Sequence, residues 1–88
     1  MCMDCFTSSF APGVSAPQPL GVDPEKVILL LKHIFSTGKP ISFDICEVSP
    51  RFDHDSVTAN LASILVYTVV STMAQRILGK ENKKYIPR

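Results

Sequence analysis

The chain has 88 residues, which bounds it at one domain. Its 9 Lys+Arg against 8 Asp+Glu give a formal net charge of +1, which excludes the dense basic footprint of a dedicated nucleic-acid binder and the acidic excess of a solvating tail. A 45% hydrophobic fraction predicts a packed chain, and 3 Cys are too few for a disulfide framework, so a reduced, cytoplasmic setting is expected.

The first five residues, MCMDC, read as the end of a strand. They lack the basic and long apolar regions of a secretory signal. Residues 6–22 read as an ordered loop. Pro12, Pro17 and Pro19 forbid a helix there, Gly13 and Gly21 open backbone angles closed to other residues, and Phe10, Val14 and Leu20 predict packing against a neighbour. A helix is expected over Pro24–Thr37. Asp23 is its N-cap, Pro24 suits the first turn, and Val27, Leu30, Leu31 and Ile34 form its apolar stripe, widened by Ile28, Leu29 and Phe35. Gly38 followed by Lys39-Pro40 is a stop signal.

Ile41–Val48, ISFDICEV, reads as a strand covered on both faces, as in a parallel sheet, and Ser49-Pro50 ends it. Asp53, His54, Asp55 and Ser56 offer caps for a second helix over Ser56–Leu78. Leu61, Ile64, Leu65, Val69, Met73 and Ile77 carry its main stripe. Val57, Ala62, Val66 and Val70 make it apolar on further sides, so it expects two packing partners. Gly79 is expected to stop it, leaving residues 79–88 as a solvated tail. The charge-free stretch Ser56–Gln75 has the roughly 20 residues that cross a bilayer, but seven Ser, Thr and Asn side chains are spread through it. It reads as a buried helix, with no membrane as partner.

The order β, loop, α, β, loop, α predicts an α/β chain, a βαβα unit of a parallel sheet with a right-handed crossover. Functional groups of such sheets sit at the carboxyl ends of strands, here the loops that follow Asp4 and Glu47. A carboxylate in either position, within an apolar context, must be paired, hydrogen-bonded or metal-bound, or else cap a neighbouring element; Asp44, within the strand, has the same burial problem. Cys2 and Cys5 form a CxxC, yet no helix opens after it and only Cys46 remains to complete a zinc site, so small Cys side chains filling strand positions are expected. Asp53-His54-Asp55 is read as a helix cap, and His33 as a partner of its helix's carboxyl end.

The segment Met3–Gly21, MDCFTSSFAPGVSAPQPLG, resembles the third signature of the arginase/ureohydrolase superfamily, with its Pro-Gly pair and a Gly eight positions later. Ile41–Pro50, ISFDICEVSP, resembles that family's later strand and its Glu-Val-Asn/Ser-Pro turn, and Asp53 and Thr58 fall where the family favours them. APGVSAP resembles the formimidoylglutamase branch.

The resemblance implies the three-layer arginase-like fold, with residues 1–78 as its C-terminal part. It further implies a hydrolase with two Mn2+ ions, acting on a small-molecule amidine and homo-oligomeric when complete. Asp4 matches the second acidic metal ligand of the signature. Glu47 matches the acid that meets the substrate's cationic group, where a carboxylate accepts two N–H bonds from a planar cation. Two departures accompany these matches. Cys2 stands where the first acidic ligand belongs, making it a softer candidate ligand, and Ser8 replaces the usual residue. The family's upstream Gly-Gly-Asp-His and Asp-Ala-His-x-Asp segments have no counterpart, so the chain is expected to be an incomplete piece, inert by itself. The alternatives are an agmatinase- or arginase-like piece, or a small non-enzymatic module that folds on association.

Overall fold

The fold was analysed in a computed structural model that describes residues 1–81, with side chains described for residues 1–79. Two helices dominate: α1, Pro24–Ser36, and α2, Val57–Glu81. Single 3-10 turns form at Met3–Cys5 and Pro50–Phe52.

The helix α1 begins where Asp23 predicts. The Asp23 carboxylate accepts the Glu25 amide at 3.0 Å, and Pro24 has no amide left to satisfy. It ends at Ser36, with Thr37 as C-cap and Gly38 at φ 76°. The buried face takes in only part of the expected stripe. Leu31 and Phe35 are buried and Val27 and Ile28 pack beside them, whereas Leu30 and Ile34 are exposed.

In α2 the buried seam runs through Thr58, Leu65, Thr68, Val69 and Thr72, flanked by Leu61, Ala62 and Met73. Ile64 and Ile77, expected in the stripe, are exposed. Threonine can occupy the seam because its hydroxyl turns back onto its own helix. Thr68 donates to the Ile64 carbonyl at 2.8 Å and Thr72 to the Thr68 carbonyl at 2.7 Å. The helix also runs through Gly79 to Glu81. Gly79 has no neighbour within 4 Å of where a Cβ would lie and does not stop the helix. The rest of the expected tail, residues 82–88, lies outside the described residues. Val57–Gly79 is long and apolar enough to cross a membrane, with a mean hydropathy of 1.5; here α2 packs against α1.

The expected strands are reduced to isolated parallel bridges, Cys2 with Cys46, Phe6 with Val22 and Thr7 with Gln18. The first is closed by the Met3 amide on the Cys46 carbonyl and the Cys46 amide on the Met1 carbonyl, each at 3.0 Å. A ladder does not extend downstream because the first segment turns into a 3-10 turn at Met3; upstream of the bridge the Met1 ammonium donates to the Asp44 carbonyl at 2.8 Å. Nor is that segment covered on both faces. Phe43, Ile45 and Val48 pack on the core, while Ile41, Asp44 and Cys46 are exposed, so the burial expected for Asp44 does not arise. Phe43 meets Phe35 edge-on, with ring centroids 5.7 Å apart.

The core gathers Met3, Phe6, Ala11 and Val14 from the N-terminal segment and loop, Leu31 and Phe35 from α1, and Leu65 and Val69 from α2. Each such large side chain removed from water contributes about 1.5–3 kcal/mol. The proline-rich loop is thus a packed element. Val14 is its anchor, whereas Phe10 and Leu20 face outward, contrary to expectation.

Candidate metal and substrate site

The parallel bridge between Cys2 and Cys46 fixes where the candidate site lies. Both segments run the same way through it, so Asp4, two residues after Cys2, and Glu47, one residue after Cys46, emerge at the same downstream edge. The sequence placed both at strand ends, and the structure brings both ends to one edge although only a bridge forms.

Cys2 and Asp4 meet directly. The thiol donates to Asp4 Oδ1 at 2.8 Å. That bond to the carboxylate is the main reason the Cys2 thiol is pushed up to about 11. Sulfur and carboxylate face each other across one proton, and a divalent cation in that place would find one soft and one hard donor. The pair fits part of a metal centre. Among the described residues no group of three or more His, Cys, Asp or Glu side chains comes together, so the pair does not by itself form a two-metal site.

Both thiols of the CxxC are shifted away from the reactive thiolate form. A reactive dithiol needs a lowered thiol pKa, whereas Cys2 is raised and burial raises Cys5 as well. Neither Cys5 nor Cys46 fills a buried strand position, since both are exposed.

Glu47 is exposed and adopts φ 72°, a left-handed conformation that costs a residue with a side chain about 1–3 kcal/mol. Two hydrogen bonds tie Glu47 and the residues after it to the proline-rich loop. The Ser15 hydroxyl donates to Glu47 Oε1 at 2.7 Å, and the Ser49 amide donates to the Gly13 carbonyl at 2.7 Å. Ser15 was not singled out from the sequence. Its signal was its place next to Val14, a core anchor, in the proline-rich loop.

Gly13 is the hub of this arrangement. Its amide donates to the Thr58 hydroxyl at 2.7 Å, and a Cβ on it would meet Asp53 at under 3 Å. No other residue lets the loop come this close. Gly21 is required for the same reason, since a Cβ there would strike the backbone of Cys5, Phe6 and Thr7.

Asp53 caps α2, as expected of its cluster. Its Oδ1 accepts the amides of His54 at 2.9 Å and Thr58 at 3.0 Å, and its Oδ2 accepts that of Ala59 at 3.1 Å. With Val57 on the His54 carbonyl and Asn60 on the Ser56 carbonyl, the four amides opening α2 are satisfied. Burial works to raise the Asp53 carboxyl, but the bonds from Thr58, Ala59 and His54 outweigh it and hold the group below its ordinary range. His54 pairs with Asp55 at 3.4 Å on the surface, and His33 is exposed in the last turn of α1.

Comparison with known proteins gives three findings. The profile of the arginase family matches residues 1–71. Formimidoylglutamase of Clostridium tetani is 56% identical over 75 residues, covering 85% of this chain and 22% of that protein. Formimidoylglutamase of Streptococcus pyogenes is 53% identical over 73 residues, covering 83% of this chain and 22% of its own length. The chain therefore spans about a fifth of the length of these curated relatives. Among solved structures, proclavaminate amidino hydrolase from Streptomyces clavuligerus superposes with a TM-score of 0.77 at 34% identity, over 83% of this chain and 25% of that one.

Proposed function

This chain belongs to the arginase family, and from that premise we propose that it supplies one edge of the active site of a formimidoylglutamase, which hydrolyses N-formimidoyl-L-glutamate to L-glutamate and formamide. The observation that supports this most is the common edge created by the Cys2–Cys46 bridge, where a candidate metal-ligand pair and a candidate cation-binding acid emerge together. The two relatives named formimidoylglutamase support the choice of branch.

In this reading Asp4 and Cys2 hold part of a manganese centre. Two manganese ions held there would supply an activated water and offset the charge that develops on the substrate. Glu47 accepts N–H bonds from the planar formamidinium and orients its carbon toward that water. Water adds to the carbon, the bond to the glutamate nitrogen breaks, and that nitrogen leaves with a proton as the amine of glutamate. Ala11–Pro19 borders the substrate's tail. Two donors cannot hold two metal ions, so in this reading the described residues by themselves are inert, and the activity belongs to a longer, full-length parent chain that supplies the further ligands. A cytoplasmic homo-oligomer acting on a small molecule, with neither nucleic acid nor membrane as partner, completes the proposal.

A second reading, a hydrolase of guanidines, has one observation in its favour: the solved relative carries the name amidino hydrolase. The full-length manganese-loaded protein, assayed on N-formimidoyl-L-glutamate, agmatine and arginine, separates the two. Preference for the first compound supports the proposal, and preference for either guanidine overturns it.

A further inference from the structure

We infer that Ser15 is a positioning and specificity residue that aims Glu47, an inference that rests on the reading of Glu47 as the acid meeting the substrate cation. Three observations carry it. The Ser15 hydroxyl donates to Glu47 Oε1 at 2.7 Å, the short distance of a hydrogen bond to a charged acceptor. The two residues lie 32 apart in sequence, so the bond joins the proline-rich loop to the segment after the bridge. Glu47 sits at φ 72°, a conformation that needs such outside support, and the neighbouring bond from Ser49 to the Gly13 carbonyl supplies a second tie.

The direction of the hydrogen bond has a chemical consequence. A serine hydroxyl has one proton, and here it is committed to Glu47. What the pair offers outward is then lone pairs only: those of Glu47 Oε2, the remaining ones of Oε1, and those of Ser15 Oγ. Such a surface suits a group whose edge is all N–H, as a protonated amidine is, and opposes a neutral amide, whose carbonyl would face like lone pairs with no donor. Ser15 thus acts through Glu47 on affinity for the cation and on the choice between amidine and amide.

The test uses the full-length manganese-loaded protein with four variants: Ser15→Ala, Ser15→Thr, Glu47→Gln, and Ser15→Ala combined with Glu47→Gln. Ser15→Ala is expected to lower kcat/KM for N-formimidoyl-L-glutamate about ten- to a hundredfold, the scale of one hydrogen bond to a charged group. The loss is expected mostly in KM, with the melting temperature little changed because Ser15 is exposed and the tie from Ser49 to Gly13 remains. Ser15→Thr keeps the hydroxyl and should restore most of the activity. In the Glu47→Gln background, Ser15→Ala should cost little more. Wild-type kcat/KM in Ser15→Ala, no rescue by Thr, or an equal loss without the Glu47 carboxylate would each overturn the inference while the parent reading stands. A wild-type protein with no amidine hydrolysis would overturn both.

Discussion

The backbone N–H of Gly13 donates to the hydroxyl of Thr58 across 2.7 Å, fastening the proline-rich loop to the first turn of α2. Thr58 is fully buried, so no water substitutes for this bond. Thr58→Val keeps the shape but leaves the Gly13 amide unpaired, and should cost about 1–3 kcal/mol in urea unfolding. Thr58→Ser, which keeps the hydroxyl, should cost much less. Gly13→Ala, which drives a methyl into Asp53, should destabilise by about 1–3 kcal/mol through overpacking.

The Asp53 cap makes stability depend on acid. Its carboxyl is held below its ordinary value of 3.8 in the folded chain, so the unfolded chain binds the proton more readily. The contribution is therefore fully present above the unfolded pKa and is lost as pH falls through the lower folded one. Thermal melts should show no pH dependence from this group near neutrality, where its contribution is complete, and a decline below about pH 4. Asp53→Asn should flatten that decline. An unchanged acid profile in Asp53→Asn would remove Asp53 from the account.

The Cys2–Asp4 pair predicts a metal preference. One thiolate beside one carboxylate favours softer ions than two carboxylates do. Cobalt(II) bound to the full-length protein should show a near-ultraviolet sulfur-to-metal charge-transfer band that vanishes in Cys2→Ser. Cys2→Asp should shift the relative affinity from cobalt toward manganese. A band that survives Cys2→Ser would mean that this sulfur is not a ligand.

Glu47 predicts a charge requirement. Glu47→Gln replaces an all-acceptor group with one that carries two donors, which face the N–H edge of the cation. Hydrolysis should fall by about a hundredfold, the scale of losing a hydrogen bond to a charged group. Glu47→Asp, which keeps the charge, should fall less.

These residues differ in how plainly the sequence shows them. The start of α1 was legible because Asp23 and Pro24 act locally, and the cap of α2 because Asp53 does. The loop and turn motifs were legible through family resemblance, since Gly13 and Gly21 mark close approaches that no larger residue permits. The threonine seam of α2 was not. A hydroxyl looks polar in a sequence and becomes apolar in effect only when its own helix accepts the proton, as with Thr68 and Thr72. Strand Ile41–Val48 was overread because apolar content shows a tendency to pair, whereas pairing needs a neighbour, and Met1–Met3 provides only one bridge. Ser15 stayed hidden because its partner lies 32 residues away.

The most direct test of the central claim is the ratio of kcat/KM for N-formimidoyl-L-glutamate to that for agmatine and for arginine, measured on the full-length manganese-loaded protein. The account predicts a large preference for N-formimidoyl-L-glutamate, with formamide and glutamate released in equal amounts. A preference for agmatine or arginine, or no hydrolysis of any of the three, would contradict it.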